Sequence, residues 1–292
     1  MSLPRREAAI YLTPLREGGS LPAVVEDTGG DLWVVKFRGA GQGPKALVAE
    51  VVVAGLARRL GLPVPELAVV ELDATFGQGD RDPEILDILR GSHGVNVGLA
   101  YLDGAFNLDP VAVPEAVTGD FATKLVWLDA LTLNPDRSAR NPNLMFWSGG
   151  PWLIDHGAAL FDHHDWSRVT PERTRRAFGL ISNHVLLDHA DDIGAVDDEL
   201  AARLDRATLE AVLDDVPDAL LAEPARLGGP AGGSDADEGT SVDPAAHATR
   251  MRRRYVDYLH TRLEAPRVWA DAAEEARKVR AASPPVPLKA RR

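Results

Sequence analysis

The hydrophobic pattern of this chain changes type along its length, and that change limits the folds it can adopt. Between Ala8 and Phe37, short apolar runs alternate with turn sequences such as REGGS and TGG, a pattern typical of β-strands. A helix-like run covers residues 46–62, and strand-like runs follow at 65–73 and 95–104. Beyond them the apolar residues recur mainly at helical spacing. We therefore predict an α+β fold with a small β-rich N-terminal lobe and a mostly helical C-terminal lobe.

The predicted lobes meet at residue 104, so the N-lobe spans residues 1–104 and the C-lobe spans residues 105–280. Predicted C-lobe helices cover residues 119–134, 171–181 and 197–216, with another beginning near Ala245, and two short runs at 144–147 and 151–157 predict a hairpin. Residues 228–244 are rich in Gly, Ser and Asp, which predicts a flexible loop. The Pro-rich, basic residues 281–292 predict a disordered tail.

Composition excludes several classes of protein. The chain has 44 acidic and 32 basic residues, and before its C-terminus it has no long basic block of the kind that follows a phosphate backbone. We therefore expect no direct nucleic-acid binding. Because the sequence has no cysteine, it has no disulfide framework, thiol nucleophile or Cys-based zinc site. No stretch approaches the roughly 18 apolar residues of a membrane span and no signal peptide precedes the first strand, so we expect a cytoplasmic protein without membrane contact.

The segment NPDRSARNPN, residues 134–143, is the most informative polar stretch. Asp136 and Asn141 are five residues apart, as are the Asp and Asn of kinase catalytic loops, where the Asp acts on the acceptor hydroxyl and the Asn binds the metal. The same residue types also form ordinary Asn- and Pro-rich turns. Asp155 follows the apolar run PWLI and precedes His156 and a glycine, where a kinase has its D-F-G aspartate.

Lys36 and Glu50 complete the set of candidates. Lys36 ends the apolar run DLWVVKF, where a lysine is most often exposed to solvent. Glu50 lies on the apolar face of the next predicted helix, where a carboxylate needs a partner. A Lys36–Glu50 ion pair satisfies both. Phosphoryl transfer requires a cation near the phosphates, oxygen ligands for magnesium and a carboxylate near the acceptor, and these residues supply all three in kinase order.

Two segments of the chain resemble the HipA-like kinase family. They are LREGGSLPAVVEDTGGDLWVVKFRGAGQGPKALVAEVVVAGLARRLGLPVPE and NPDRSARNPNLMFWSGGPWLIDHGAALFDHHDW, within a similarity that covers about residues 8–166. The resemblance implies a protein-kinase-like fold that uses ATP and Mg²⁺. By motif, Lys36 would contact the phosphates, Asp136 would be the catalytic base, and Asn141 and Asp155 would hold magnesium.

The chain departs from the family pattern in two ways. The family's better-known toxins phosphorylate a protein hydroxyl and are neutralised by a DNA-binding antitoxin. This chain is shorter than those toxins and lacks their N-terminal extension, so their substrate is not carried over, and an antitoxin partner has no sequence feature in its support. In addition, His156 stands where typical protein kinases have phenylalanine, so switching of an activation loop is not assumed.

Other positions have weaker signals. Gly18, Gly19 and Ser20 form a turn whose backbone amides either approach the phosphates or simply close a hairpin, and phosphorylation of Ser20 is left open. Ala100 and Leu102 fall where a kinase hinge binds adenine through backbone groups.

Three further residues or groups have competing interpretations. Arg137 either pairs with a nearby carboxylate or is a plain loop residue, and Asn143 is expected to support the loop. His163, His164 and Asp165 suggest a metal cluster, but a zinc site is not expected, because neighbouring histidines rarely point the same way.

The leading functional hypothesis is a kinase that acts on a hydroxyl of an unidentified protein or small molecule. A rival enzyme is a small-molecule kinase of the aminoglycoside or choline type, which shares the fold and the Asp-to-Asn loop. A rival of a different class is an ATP-binding pseudokinase or interaction module. The presence of Lys36, Asp136, Asn141 and Asp155 together favours an active enzyme.

Overall fold

The computed structural model describes residues 2–15, 21–77, 79, 82–222 and 243–282. The strands within these ranges are β1 Arg5–Pro14, β2 Ala23–Asp27, β3 Leu32–Lys36, β4 Leu67–Leu72, β5 Gly94–Ala100, β6 Phe106–Asn107, β7 Leu144–Trp147 and β8 Gly150–Leu153. The helices are α1 Pro44–Arg59, α2 Pro83–Arg90, α3 Gly119–Thr132, α4 Pro171–Thr174, α5 Ile193–Arg203, α6 Arg206–Asp214, α7 Asp218–Leu221, α8 Pro244–Leu263 and α9 Val268–Ala282. The predicted mixed α+β class is confirmed. No described helix is long and apolar enough to cross a lipid bilayer.

The five N-terminal strands form a closed barrel in the order β1-β2-β3-β5-β4. The first three strands are the predicted meander, with β2 antiparallel to both β1 and β3. The barrel closes where Arg5 of β1 pairs in parallel with Val69 of β4. Sequence patterns did not predict this closure, because the parallel partners are far apart in the chain.

The helix α1 is buried over most of its length, which places its one buried charged residue, Glu50, inside the molecule. Residues 47–54 of this helix are all buried, and it contacts both β5 of the barrel and the helices α3, α6 and α7. The α1 side chains belong to the larger of two apolar clusters, while the other cluster fills the barrel around Val25, Trp33 and Val35. The Glu50 carboxylate, within the buried stretch 47–54, is therefore removed from water.

Several predicted boundaries in the helical part are wrong. The single helix predicted over 197–216 is broken into α5 and α6, because the Asp205 side chain accepts a hydrogen bond from the Thr208 amide at 2.8 Å and begins a new helix. The helix predicted over 171–181 is only α4 followed by a 3₁₀ turn at Gly179–Asn183.

Two predicted irregular segments lie mostly outside the described residues. For the loop predicted at 228–244, only Asp243 and Pro244 are described, and they are the N-cap and first residue of α8. In the tail predicted at 281–292, residues 281 and 282 form the end of α9, which was not predicted, and the rest of the tail lies outside the description.

Candidate active site

Lys36 is buried at the end of β3, although a strand-end lysine is usually exposed. In the barrel, Lys36 lies opposite Val97 of β5, and it is only 8% exposed. Its Nζ donates a hydrogen bond to Oε1 of Glu50 and another, 2.6 Å long, to Oδ1 of Asp155. The predicted Lys36–Glu50 ion pair is therefore present, and Asp155 joins it from a segment 119 residues further along the chain.

Burial and charge shift the pKa of each member of this cluster. For Lys36, burial disfavours the charged form, but Glu50 and Asp155 outweigh it and raise the pKa. Burial raises the pKa of Glu50, which has no exposed surface, and Lys36 opposes this shift. Asp155 has a lowered pKa because Lys36 outweighs the effect of its burial. The side chain of Asp155 is 40% exposed, so it is the member of the cluster that faces solvent.

The loop from Asn134 to Asn143 brings Asp136 and Asn141 together. Ser138 and Asn141 exchange two backbone hydrogen bonds of 3.0 Å, which makes a tight turn within the loop. The Asn141 amide nitrogen then donates to Oδ2 of Asp136 at 3.0 Å. Because the nitrogen of this amide is engaged, its oxygen points away from Asp136 and is available as a ligand.

Asn143 connects this loop to Asp155. Its side-chain nitrogen donates to the backbone oxygen of Asp136 at 2.7 Å and lies 3.4 Å from the backbone oxygen of Asp155. Both Asn143 and Asp155 have left-handed backbones, with φ of 49° and 55°. Such conformations are uncommon for residues other than glycine and concentrate at functional sites. The predicted supporting role of Asn143 agrees with these contacts.

Arg137 makes a buried ion pair with Asp129, a residue that sequence analysis missed. Arg137 is 2% exposed, and its Nε donates to Oδ2 of Asp129 at 2.5 Å. Asp129 also accepts hydrogen bonds of 3.0 Å from Asn134 and from Nε2 of His184. Burial opposes ionisation of Asp129, but Arg137 and His184 overcome it and lower its pKa to about 2. The signal for Asp129 was a lone carboxylate in the apolar helix LVWLDALTL, where a charge needs a partner.

His156 lies beneath the site as a neutral ring. It is 1% exposed, and its Nδ1 lies 3.3 Å from Nη2 of Arg137, a permanent donor, so Nδ1 accepts this hydrogen bond. Burial and the charge of Arg137 lower the pKa of His156 to about 3. The residue that replaces the usual phenylalanine is therefore an uncharged packing and hydrogen-bonding group.

This burial predicts loss of stability in acid. Because the folded-state pKa of His156 lies below its unfolded value of about 6.5, the unfolded state binds more protons between about pH 6.5 and pH 3, and the free energy of unfolding falls as pH falls through that window. We expect His156→Phe to reduce the slope of the free energy of unfolding against pH by about 1 kcal/mol per pH unit in this window. Denaturant titrations of the wild type and the variant at pH 5, 6 and 7 measure this slope. Equal slopes in the two proteins would contradict the description of His156 as a buried neutral ring.

The remaining predicted positions have mixed outcomes. The Ala100 amide donates to the Glu66 carbonyl at 2.8 Å, and the Leu102 carbonyl accepts from the Ala105 amide at 3.1 Å. These contacts do not test adenine binding by Ala100 and Leu102, which stays a prediction. Three predicted phosphate-loop residues, Gly18, Gly19 and Ser20, lie outside the described residues.

His163 and His164 converge, contrary to expectation. Their Nε2 atoms are 3.2 Å apart, and His163 Nδ1 lies 3.0 Å from the Tyr255 hydroxyl. Within the described ranges, however, no three His, Asp or Glu side chains are grouped so as to hold a metal ion. A pair of imidazoles alone falls short of the four ligands of a structural zinc site.

The donor set beside Asp136 fits magnesium better than zinc. The Asn141 oxygen and the Asp155 carboxylate are hard oxygen ligands, and Mg²⁺ is commonly held by one or two protein oxygens together with water and substrate phosphates. A site with so few protein ligands does not require a cluster of three acidic groups.

A family model described as "HipA-like kinase" matches residues 11–224. The chain is also similar to the crystal structure of a Helicobacter pylori proinflammatory kinase, CtkA, with 13% sequence identity and a TM-score of 0.45 over 94% of this chain and 99% of that chain. No curated protein matches the chain.

Proposed function

This chain belongs to the HipA-like kinase family, and we propose that it is a kinase that uses ATP and Mg²⁺ to phosphorylate a hydroxyl group of a protein or a small molecule. The observation that carries the proposal is the meeting of Lys36 with Glu50 and Asp155 next to the Asp136–Asn141 pair. These are the charged and polar groups that phosphoryl transfer requires, drawn from β3, α1 and two loops of the C-terminal half.

We further propose that the fold is bilobal in the manner of protein kinases. The barrel and α1 then form the N-lobe, residues 1–104, and the helical part from residue 105 forms the C-lobe. In this arrangement Lys36 and Glu50 come from the N-lobe, while Asp136 and Asp155 come from the C-lobe. Adenine binds between the lobes, next to Ala100 and Leu102.

The proposed roles follow from what each side chain contacts. Lys36, held in place by Glu50, binds the nucleotide phosphates. Asn141 and Asp155 hold magnesium, which neutralises phosphate charge while ATP supplies the phosphoryl group. Asp136, which accepts a hydrogen bond from Asn141, orients the acceptor hydroxyl and takes its proton.

The proposal is tested by incubating purified protein with γ-labelled ATP and Mg²⁺, first alone, then with cell lysate, and then with pools of small hydroxyl compounds. Transfer of label to a protein or a small molecule supports it and identifies the class of acceptor. Label that stays in ATP in all three incubations, with nucleotide binding intact, would instead favour a pseudokinase.

Nucleotide binding is expected to depend strongly on magnesium. Two of the proposed site residues, Asn141 and Asp155, act through the metal, so ATP alone meets a carboxylate that repels its phosphates. We expect a clear rise in melting temperature with ATP plus Mg²⁺ and little change with ATP alone. Thermal-shift measurements with and without EDTA check this, and equal stabilisation in both conditions would contradict the assignment of these two residues.

A further inference from the structure

The side chain of Arg137 lies beneath the proposed site and contacts several segments around it. Although it follows Asp136 directly, it turns inward, where its Nε donates to Asp129 on α3 at 2.5 Å. Its Nη1 donates to the backbone oxygen of Asn143 at 2.5 Å, and its Nη2 donates to Nδ1 of His156 at 3.3 Å. One guanidinium group therefore joins α3, the loop that contains Asp136, and the residue after Asp155.

The backbone oxygen of Asn143 is the junction at which these contacts meet. Besides Arg137, it accepts a hydrogen bond of 3.1 Å from the amide of Ile154, the residue before Asp155. The side chain of the same asparagine reaches the backbone oxygens of Asp136 and Asp155. Fixing Asn143 therefore fixes the separation between Asp136 and Asp155.

This arrangement needs an arginine and a carboxylate in particular. Arginine has a planar fork with several donors, so it can bond a carboxylate, a carbonyl and a ring nitrogen at once, while the compact ammonium of lysine cannot span the same positions. Asp129 supplies the countercharge that the buried guanidinium needs. A buried ion pair is weak evidence of a stabilising role, because apolar residues of similar size often stabilise a core equally well.

We infer that Arg137 is a positioning residue that holds Asp136, Asn141 and Asp155 at the separations needed for metal-dependent phosphoryl transfer. The inference rests on the proposed function, since it assigns Arg137 a role in that same site. Arg137 acts through the loop and touches neither nucleotide nor acceptor. Its replacement should therefore weaken metal binding in the nucleotide complex and slow transfer, beyond any effect on folding.

The test is Arg137→Lys, which keeps the charge opposite Asp129 but loses the fork. Binding of Mn²⁺ to the protein with a non-hydrolysable ATP analogue is measured by electron paramagnetic resonance, and kcat and KM for ATP are measured separately. We expect at least a tenfold loss in Mn²⁺ affinity and in kcat, with a smaller change in analogue affinity without metal.

A matched control is available on α8. Arg252 also donates to two backbone oxygens, of Leu213 at 3.1 Å and Val216 at 2.5 Å, and pairs with Asp218. Arg252→Lys is expected to lower the melting temperature while leaving Mn²⁺ affinity and kcat within twofold of wild type. The contrast separates a structural arginine from a positioning one.

If Arg137→Lys does not fold, the double variant Asp129→Asn/Arg137→Met replaces it, because it removes both charges and leaves no buried charge unpaired. Loss of Mn²⁺ affinity and kcat in a folded variant supports the inference. A folded variant with wild-type values for both overturns it while leaving the proposed function intact. If the wild type itself binds no Mn²⁺ with the analogue, the proposed function fails, and the inference fails with it.

Discussion

Asp136→Asn is expected to lower phosphoryl transfer by about two to four orders of magnitude, the range lost when a general base is removed. Asparagine keeps the size of the side chain and can still bond Asn141, but it has no charge with which to orient the acceptor hydroxyl or take its proton. Folding and nucleotide binding should stay close to wild type, because Asp136 is half-buried and pairs with no described lysine or arginine. Label transfer from ATP measures the loss, and nucleotide titration measures binding.

Asp155→Asn is the informative companion variant. It removes a charge from the proposed metal ligand and from the ion pair with Lys36, so both magnesium-dependent nucleotide binding and transfer should fall. If Asp136 were only a turn residue that bonds its own loop, asparagine would serve nearly as well. Full transfer activity in Asp136→Asn would therefore refute the mechanism.

The barrel strands and the site loop were predictable because their signals are local. Alternating apolar residues bounded by glycines identified β1, β2 and β3, and the spacing of Asp136 and Asn141 marked a loop whose tight turn brings the two side chains together. The local pattern could not indicate that β1 pairs with β4 to close the barrel, because the hydrophobic periodicity of a strand does not identify its distant partner.

Burial of polar groups was the other feature that sequence alone did not determine. Alternation along DLWVVKF suggested an exposed lysine, whereas the need of Glu50 for a partner predicted the Lys36–Glu50 pair. Lys36 is buried because α1 and the loop at Asp155 cover that end of the barrel. Similarly, the sequence places Arg137 in the loop but does not show whether its side chain points outward. Its partner, Asp129, was the clearer sign of a buried ion pair, because it is a lone carboxylate in an apolar helix.

The C-terminal helices were the least predictable part, and one buried arginine there explains how they support the site. Arg262 on α8 is 1% exposed and donates to the carbonyls of Ala130 at 3.0 Å and Leu131 at 2.7 Å, at the end of α3, and of Thr174 at 2.5 Å, at the end of α4. Its guanidinium also stacks over Trp269 of α9. Carbonyls at helix ends lack intrahelical partners and favour a cation. Arg262 therefore satisfies, from inside the core, the helix end that leads into the loop of Asp136.

Arg262→Met is expected to lower the free energy of unfolding by at least about 3 kcal/mol. Methionine fills much of the space, but it leaves three buried carbonyls without donors, and each such acceptor costs about 1–3 kcal/mol. That loss is a large part of the roughly 5–15 kcal/mol that stabilises a typical protein. Denaturant titration and calorimetry measure it.

Arg206→Met is the matched control, because Arg206 is exposed and its ion pair with Asp257, 2.9 Å long, joins two helix surfaces in water. Pairs of this kind contribute about 0–1 kcal/mol, so the control should differ little from wild type. Equal losses in the two variants would show that the carbonyls at the ends of α3 and α4 find water or other donors when Arg262 is removed. A large loss confined to Arg262→Met would instead mean that the last turn of α3, and with it the start of the loop that contains Asp136, is held by a side chain about 130 residues further along the chain.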